Sequence, residues 1–239
     1  MVNNLKPDLT YYDNYKEVYQ RPEGYFDFLA NEIIGVFGNK NLTILDIGCG
    51  FGDFLKSFEK NLKERGQYYG LTIAKHEYDY VYEKLKFIEI KLGKQQDIIS
   101  MYPNKRFDII ISFHTLSYIP QNLQEQVVNS MSNLLNKNGI IVLGLIDDWI
   151  KFSNKVSQCG NGCVQFYYSP LIFKELNYCN LLSSPKSDKN YRIQIWGKDE
   201  RYKDNIYLIL FYTIRNNIFF VPLLTKIMRR IFRLLKVKK

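Results

Sequence analysis

The sequence predicts an α/β fold: a parallel sheet with helices on both faces, closed by an antiparallel hairpin. Three observations predict it. Short β-rich runs alternate with helical patterns between Leu42 and Ile146, as expected of parallel strands joined by crossover helices. The first run ends in Gly48-Cys49-Gly50-Phe51-Gly52 and leads straight into a helical pattern. After Asp147 the alternation stops, and two further β-runs lie close together, as the strands of a hairpin do.

The elements follow in order. Between Asp13 and Phe37, apolar and aromatic residues at mixed helical spacings predict one or two helices, broken near Arg21-Pro22-Glu23-Gly24. Leu42–Ile47 is a short apolar strand. Phe54–Arg65 is a helix with Phe54, Leu55, Phe58 and Leu62 on one face. Gln67–Ile73 is a second strand, His76–Leu85 a second helix and Phe87–Ile90 a third strand. Phe107–Phe113 is apolar enough to be a strand buried on both faces. A helix over Leu123–Leu135 is expected to stop at Asn138-Gly139, before a fifth strand, Ile140–Ile146. A polar loop, Lys151–Val164, precedes Ser169-Pro170, a pair suited to open a helix over Leu171–Tyr178. Tyr191–Trp196 and Ile206–Thr213 are expected to form the closing hairpin.

Composition sets the class. In 239 residues, 46% are hydrophobic and 24% charged, which excludes a disordered chain, a collagen and a disulfide miniprotein. The length suits one domain with embellishments. Four Cys with no apolar leader predict reduced thiols and a cytoplasmic protein. The longest nearly apolar stretch, Ile206–Ile214, is far short of the ~20 residues that a spanning helix needs. The net charge is +9, and all seven charged residues after Pro222 are basic, leaving +2 for the rest. That asymmetry argues against a nucleic-acid-binding surface spread over the whole molecule.

The segment Leu45-Asp46-Ile47-Gly48-Cys49-Gly50-Phe51-Gly52 carries the main functional signal. Glycines let a backbone approach a ligand without Cβ clashes, and the following helix offers free N–H groups. A nicotinamide-binding turn would need G-x-G-x-x-G and an acid about 20 residues on. Here the spacing is G-x-G-x-G, and the second strand ends Gly70-Leu71-Thr72-Ile73. The segment resembles the first motif of the class I S-adenosylmethionine-dependent methyltransferases, and the resemblance extends over about residues 25–215. It implies a Rossmann-like seven-stranded sheet with a C-terminal antiparallel hairpin. It also implies S-adenosylmethionine (SAM) as cofactor and S-adenosylhomocysteine as product.

The same resemblance assigns the site. Asp46, Gly48, Cys49 and Gly50 would line the methionine end. Thr72, with Ile73 beside it, stands where most of the family has an acid holding the ribose; Gly70-Leu71-Thr72-Ile73-Ala74 resembles the G-x-T-x-S segment of the cyclopropane-synthase-like subset. In Gly93-Lys94-Gln95-Gln96-Asp97, Gln95 or Gln96 would hold the adenine. Ser112-Phe113-His114-Thr115-Leu116-Ser117-Tyr118 resembles the family's S-x-H-x-L-x-H signature. Phe113 would lie at the cofactor, His114 would be the general base, and Tyr118 stands in place of the last His. Asp147, ending the fifth strand, is the other candidate base. Tyr15 and Arg21 would reach the cofactor from an N-terminal helix. Cys159 and Cys163, in a glycine-rich loop, lack the further ligands of a zinc site, so no metal is expected; that loop suits a flap over the acceptor.

Three regions are expected: 1–40, a helical cap over the cofactor; 41–215, the methyltransferase domain; and 216–239, a basic amphipathic helix. In the last, Leu224, Ile227, Met228, Ile231 and Leu235 recur at helical steps opposite Lys226, Arg229, Arg230 and Arg233. This helix would dock on the domain or a second subunit, or lie on an anionic membrane at its inner face. The partner expected is a small-molecule acceptor, anionic or nucleotide-linked, and not nucleic acid. The short chain resembles the methyltransferases of bacterial surface-polysaccharide (capsule) biosynthesis. That resemblance implies methyl transfer to oxygen, on a sugar hydroxyl or a phosphoramidate or phosphate group. A lipid-modifying cyclopropane-synthase-like enzyme and a non-catalytic SAM-binding subunit are the alternatives.

Overall fold

A computed structural model describes residues 23–146, 156–158, 164–166, 176–183 and 191–197. Tyr15, Arg21, Asp147, the Cys159/Cys163 pair, the Ile206–Thr213 run and the basic C-terminal segment lie outside these residues. The elements are α1 (Tyr25–Phe37), β1 (Leu42–Ile47), α2 (Asp53–Leu62), β2 (Gly66–Thr72), α3 (Lys75–Lys84), β3 (Ile88–Leu92), α4 (Ile98–Met101), β4 (Phe107–Phe113), α5 (Gln121–Leu134), β5 (Leu135–Ile146), β6 (Val156–Gln158), β7 (Val164–Phe166), β8 (Asn177–Ser183) and β9 (Tyr191–Gly197).

Seven strands form one sheet in the order β3-β2-β1-β4-β5-β9-β8. The first five are parallel, and β9 runs antiparallel between β5 and β8. The strand order reverses between β1 and β4, and in open α/β sheets ligands bind outside the strands' carboxyl ends at such a switch point. The strands are apolar on both faces because helices cover both. Leu42, Ile44, Ile109, Ile111, Ile140, Val142 and Ile195 pack with α1, α2 and α3. The alternate positions, Leu45, Ile47, Ile110, Ile141, Leu143 and Trp196, pack with α4 and α5. This period of two assigns each side chain to its face.

Three expectations are corrected. The hairpin partner of β9 among the described residues is β8, while the Ile206–Thr213 run expected in that place lies outside them. Asn177 and Tyr178, expected at the end of a helix, begin β8. The pairing of β8 shifts register between Tyr178 and Asn180, so Cys179 interrupts the alternation by which a strand is recognised. The third concerns Asn138-Gly139, which lies inside β5 and does not end α5. A Cβ on Gly139 would come within 2.8 Å of the Phe107 carbonyl oxygen. Glycine is needed there for close approach, beside the register shift between Phe107 and Ile109.

The polar loop after Asp147 contains a small antiparallel ribbon, β6 with β7, and β7 runs beside the turn Leu116–Tyr118. Among the described residues, no helix is long and apolar enough to cross a membrane.

Candidate cofactor and active site

The turn after β1 is built by glycines. Gly48, Gly50 and Gly52 have φ of 76°, 54° and 74°, a left-handed conformation that costs glycine little and other residues more. The N–H groups of Gly48 and Cys49 both donate to the Leu71 carbonyl, at 2.7 and 3.1 Å, tying the turn to the end of β2. Gly52 caps α2 without a side-chain hydrogen bond.

Asp46, near the end of β1, is 3% exposed, and its Oδ1 has no hydrogen-bond partner among the described residues. Burial pushes its carboxyl up to about 7, because desolvation disfavours the charged form. Cys49 beside it is a buried free thiol. Its pKa is raised by burial first, then by the negative charges of Asp46 and Glu77. Such a thiol is a packing group, not a nucleophile; its sulfur lies against Gly70.

The structure brings Thr72 to the carboxyl end of β2 but occupies its hydroxyl. Thr72 donates to Glu77 at 2.5 Å and accepts from the Ala74 N–H at 3.1 Å. Ile73, next in line, is 38% exposed. After β3, the two glutamines differ. The Gln95 amide N–H₂ donates to the Thr115 carbonyl at 3.1 Å, which leaves the buried Oε1 as an acceptor with no partner among the described residues. Gln96 is half-buried, and it is Gln95 that the Thr115 carbonyl anchors, so the geometry favours Gln95 as the oriented amide.

His114 follows β4 with φ 63°, and its N–H donates to the Gly144 carbonyl of β5 at 2.9 Å. Both ring nitrogens are enclosed. The ring meets Phe113 edge-on at 4.6 Å between centroids. Phe113 in turn packs on Tyr25, Phe26 and Phe54, from α1 and α2. A Cβ on Gly144 would strike the Phe113 ring at 2.4 Å. Tyr118 is half-buried in the 3-10 turn Leu116–Tyr118.

Asp46, the glycine turn, Thr72, Gln95 and His114 therefore share the carboxyl ends of neighbouring parallel strands. Glu77, buried in the first turn of α3, and the Ser112–Thr115 pair were not among the residues expected at the site. A Thr and a Glu five apart match no capping spacing, so no local signal marks Glu77. Ser112 and Thr115 stand inside one short segment, but the Thr115 hydroxyl that links them donates to Ile47, which is distant in sequence.

Residues 38–195, about two thirds of the chain, match a family described as a methyltransferase domain. A solved protein of Pyrococcus horikoshii superposes with TM-score 0.59 at 14% identity, over 78% of this chain and 99% of its own. A SAM-dependent methyltransferase of Clostridium acetobutylicum gives 0.55 at 13%, over 79% and 96%. The magnesium protoporphyrin IX methyltransferase of Synechocystis, solved with the demethylated cofactor bound, gives 0.58 at 12%, over 80% and 94%. At these identities the likeness is one of fold. An uncharacterized protein of Rickettsia prowazekii is 28% identical over 102 residues, which is 41% of this chain; the match spans 40% of that relative's length.

SAM is the cofactor of this fold family, and the residues present fit it. The buried Asp46 oxygen, without a partner among the described residues, suits an ammonium, the left-handed glycines leave room for a ligand at the backbone, and the Gln95 Oε1 suits an exocyclic amine.

Proposed function

The chain belongs to the methyltransferase-domain family, and from that premise we propose that it transfers a methyl group from SAM to an oxygen of a small molecule. The acceptor we propose is a sugar hydroxyl, or a phosphoramidate or phosphate oxygen, of a bacterial surface polysaccharide. The observation that carries the transfer reading is the buried Asp46 carboxylate oxygen, without a partner among the described residues, beside three left-handed glycines at the sheet's switch point. The reading of the acceptor rests on the sequence resemblance.

When bound, the cofactor supplies an electrophilic methyl on a sulfonium, so the protein's contribution is chiefly positioning. Asp46 holds the amino-acid end, the glycine turn admits it, and Gln95 sets the purine. The helix faces Tyr25, Phe26 and Phe54 wall Phe113 and keep water from that side. His114, fixed by its left-handed backbone and by the Gly144 carbonyl, would take the proton from an acceptor hydroxyl. An acceptor oxygen that is already anionic needs no base. Asp147 and Tyr118 stand as the further candidates for contact with the acceptor. The β6–β7 ribbon beside the Leu116–Tyr118 turn supports a flap over that side.

The test is a screen of nucleotide sugars and phosphorylated saccharides with methyl-labelled SAM, with the product bond read by mass spectrometry and NMR. Label on oxygen of a saccharide is the expected result. Label on nitrogen or on a lipid carbon, or binding of SAM without transfer to any acceptor class, would replace the oxygen reading.

A further inference from the structure

Thr115 makes contacts to three separate parts of the cofactor cleft. Its hydroxyl donates to the Ile47 carbonyl at 2.9 Å and lies 2.6 Å from the Ser112 hydroxyl. A hydroxyl has one hydrogen, and Thr115 gives it to Ile47, so Ser112 is the donor in the second bond. Ser112 is fully buried, and the direction of this relay is thereby fixed: Ser112 to Thr115 to the backbone between Asp46 and Gly48. The Thr115 methyl faces the glycine turn. A Cβ on Gly48 would come within 2.0 Å of Thr115 Cγ2, so the missing side chain of one residue accommodates the methyl of the other. The Thr115 carbonyl accepts from two donors, Gln95 Nε2 and the Tyr118 N–H, each at 3.1 Å.

One side chain therefore holds the carboxylate end of the cleft, while its own carbonyl orients the amide at the purine end. We propose that Thr115 is a positioning residue that joins these two ends into one unit, so that the Asp46 and Gln95 sides bind the cofactor cooperatively. The proposal rests on the reading of this cleft as the SAM site. Loss of the hydroxyl takes the acceptor from the fully buried Ser112 hydroxyl and a donor from the Ile47 carbonyl. The turn then relaxes, and the carbonyl that orients Gln95 moves with it.

The test is calorimetric titration of S-adenosylhomocysteine into the wild type, Thr115→Val, Thr115→Ser, Gln95→Ala and the Thr115→Val/Gln95→Ala double variant, below the unfolding midpoint of each. Thr115→Val is expected to bind about tenfold more weakly, and Thr115→Ser, which keeps the donor, within about threefold of wild type. The double variant is expected to be about as weak as the weaker single variant, because Gln95 has little left to contribute once its orienting carbonyl is loose. Losses that multiply in the double variant would overturn the proposal, as would a Thr115→Val protein with a lowered midpoint and wild-type affinity. If Thr115→Val does not fold, Thr115→Cys, close in shape with a weak donor, is held to the same criteria. A wild type that does not bind the ligand would overturn the cofactor reading itself, an outcome distinct from multiplying losses.

Discussion

The Thr72 hydroxyl donates to the Glu77 carboxylate at 2.5 Å, and both side chains are sealed from solvent. Strand β2 and helix α3 are joined by this bond, with the Ala74 N–H completing the coordination of the threonine oxygen. Glu77 lies in the first turn of α3, where a negative charge is favoured by the helix dipole. The hydroxyl hydrogen of Thr72 is thus committed to Glu77. Thr72→Val deprives a buried carboxylate of a donor and is expected to lower stability by about 1–3 kcal/mol. Urea unfolding checks this, and an unchanged midpoint would sink it. Affinity for the demethylated cofactor is expected to change less than in the glycine-turn variants.

Asp46 gives the site a pH dependence. Its carboxyl is raised from the ordinary 3.8 to about 7 by burial. The raised value means that the free folded protein holds the proton more tightly than the unfolded chain. The associated stability is present below about pH 4 and is lost as pH rises through about 7, to the extent of on the order of 4 kcal/mol. The stability gap between Asp46→Asn and wild type should therefore shift in favour of the variant across that window. An ammonium ligand reverses the preference and requires the carboxylate. Product affinity is expected to fall about tenfold per pH unit below 7, with close to one proton released on binding at pH 6. Titration in buffers of different ionisation enthalpy reads that proton, and an affinity independent of pH from 5.5 to 8 would count against the assignment.

Gly48→Ala combines two penalties. The new Cβ would meet Thr115 Cγ2 at 2.0 Å, on a backbone with φ 76°. Loss of binding by at least tenfold and destabilisation of about 1–3 kcal/mol are expected. Gly50→Val, at φ 54°, should likewise abolish binding. Calorimetry and thermal unfolding measure both, and wild-type affinity in either variant would place the cofactor elsewhere.

His114 is constrained before any chemistry is considered. A residue with φ 63° can be His, Asn or Gly at little cost, whereas a β-branched residue is a true outlier. His114→Asn should keep the fold and the product affinity, while turnover on a hydroxyl acceptor falls by ~10²–10⁴. Unchanged turnover would identify an acceptor that is already anionic, or a different base. His114→Val is expected to lose about 1–3 kcal/mol of stability in addition.

The parallel half of the fold was legible because its signals are local. The apolar run Leu42–Ile47, the glycine turn and the face Phe54, Leu55, Phe58 and Leu62 lie within a few turns of one another, and the structure repeats them almost residue for residue. The antiparallel half was legible only in part: Tyr191–Trp196 reads as a hairpin strand and forms β9, but Cys179 breaks the alternation of its partner β8. In the parallel half, Asn138-Gly139 is a helix-stop signal used instead for close packing against Phe107. Within the site, the glycine turn and Asp46 were readable from spacing, and the choice between Gln95 and Gln96 was not, since it depends on where the Thr115 carbonyl points. Glu77 was hidden for a similar reason: a charged residue in a polar helix looks solvated until the strand beneath it supplies a hydroxyl.

The placement of β9 between β5 and β8 has a consequence for biosynthesis. The outer hydrogen-bonding edge of β5 acquires its native partner only when Tyr191–Gly197 arrives, and β8, though made earlier, pairs natively with β9 and not with β5. A nascent chain therefore carries an open, apolar strand edge while about fifty residues are still to be translated. Long-range strand pairing of this kind is slow, and an open edge is sticky. Ribosome-bound chains that stop before Tyr191 should accordingly engage chaperones or self-associate, and those that extend well past Gly197 should not; equal behaviour of the two lengths in a stalled-chain pulldown would show that the edge is shielded by other means.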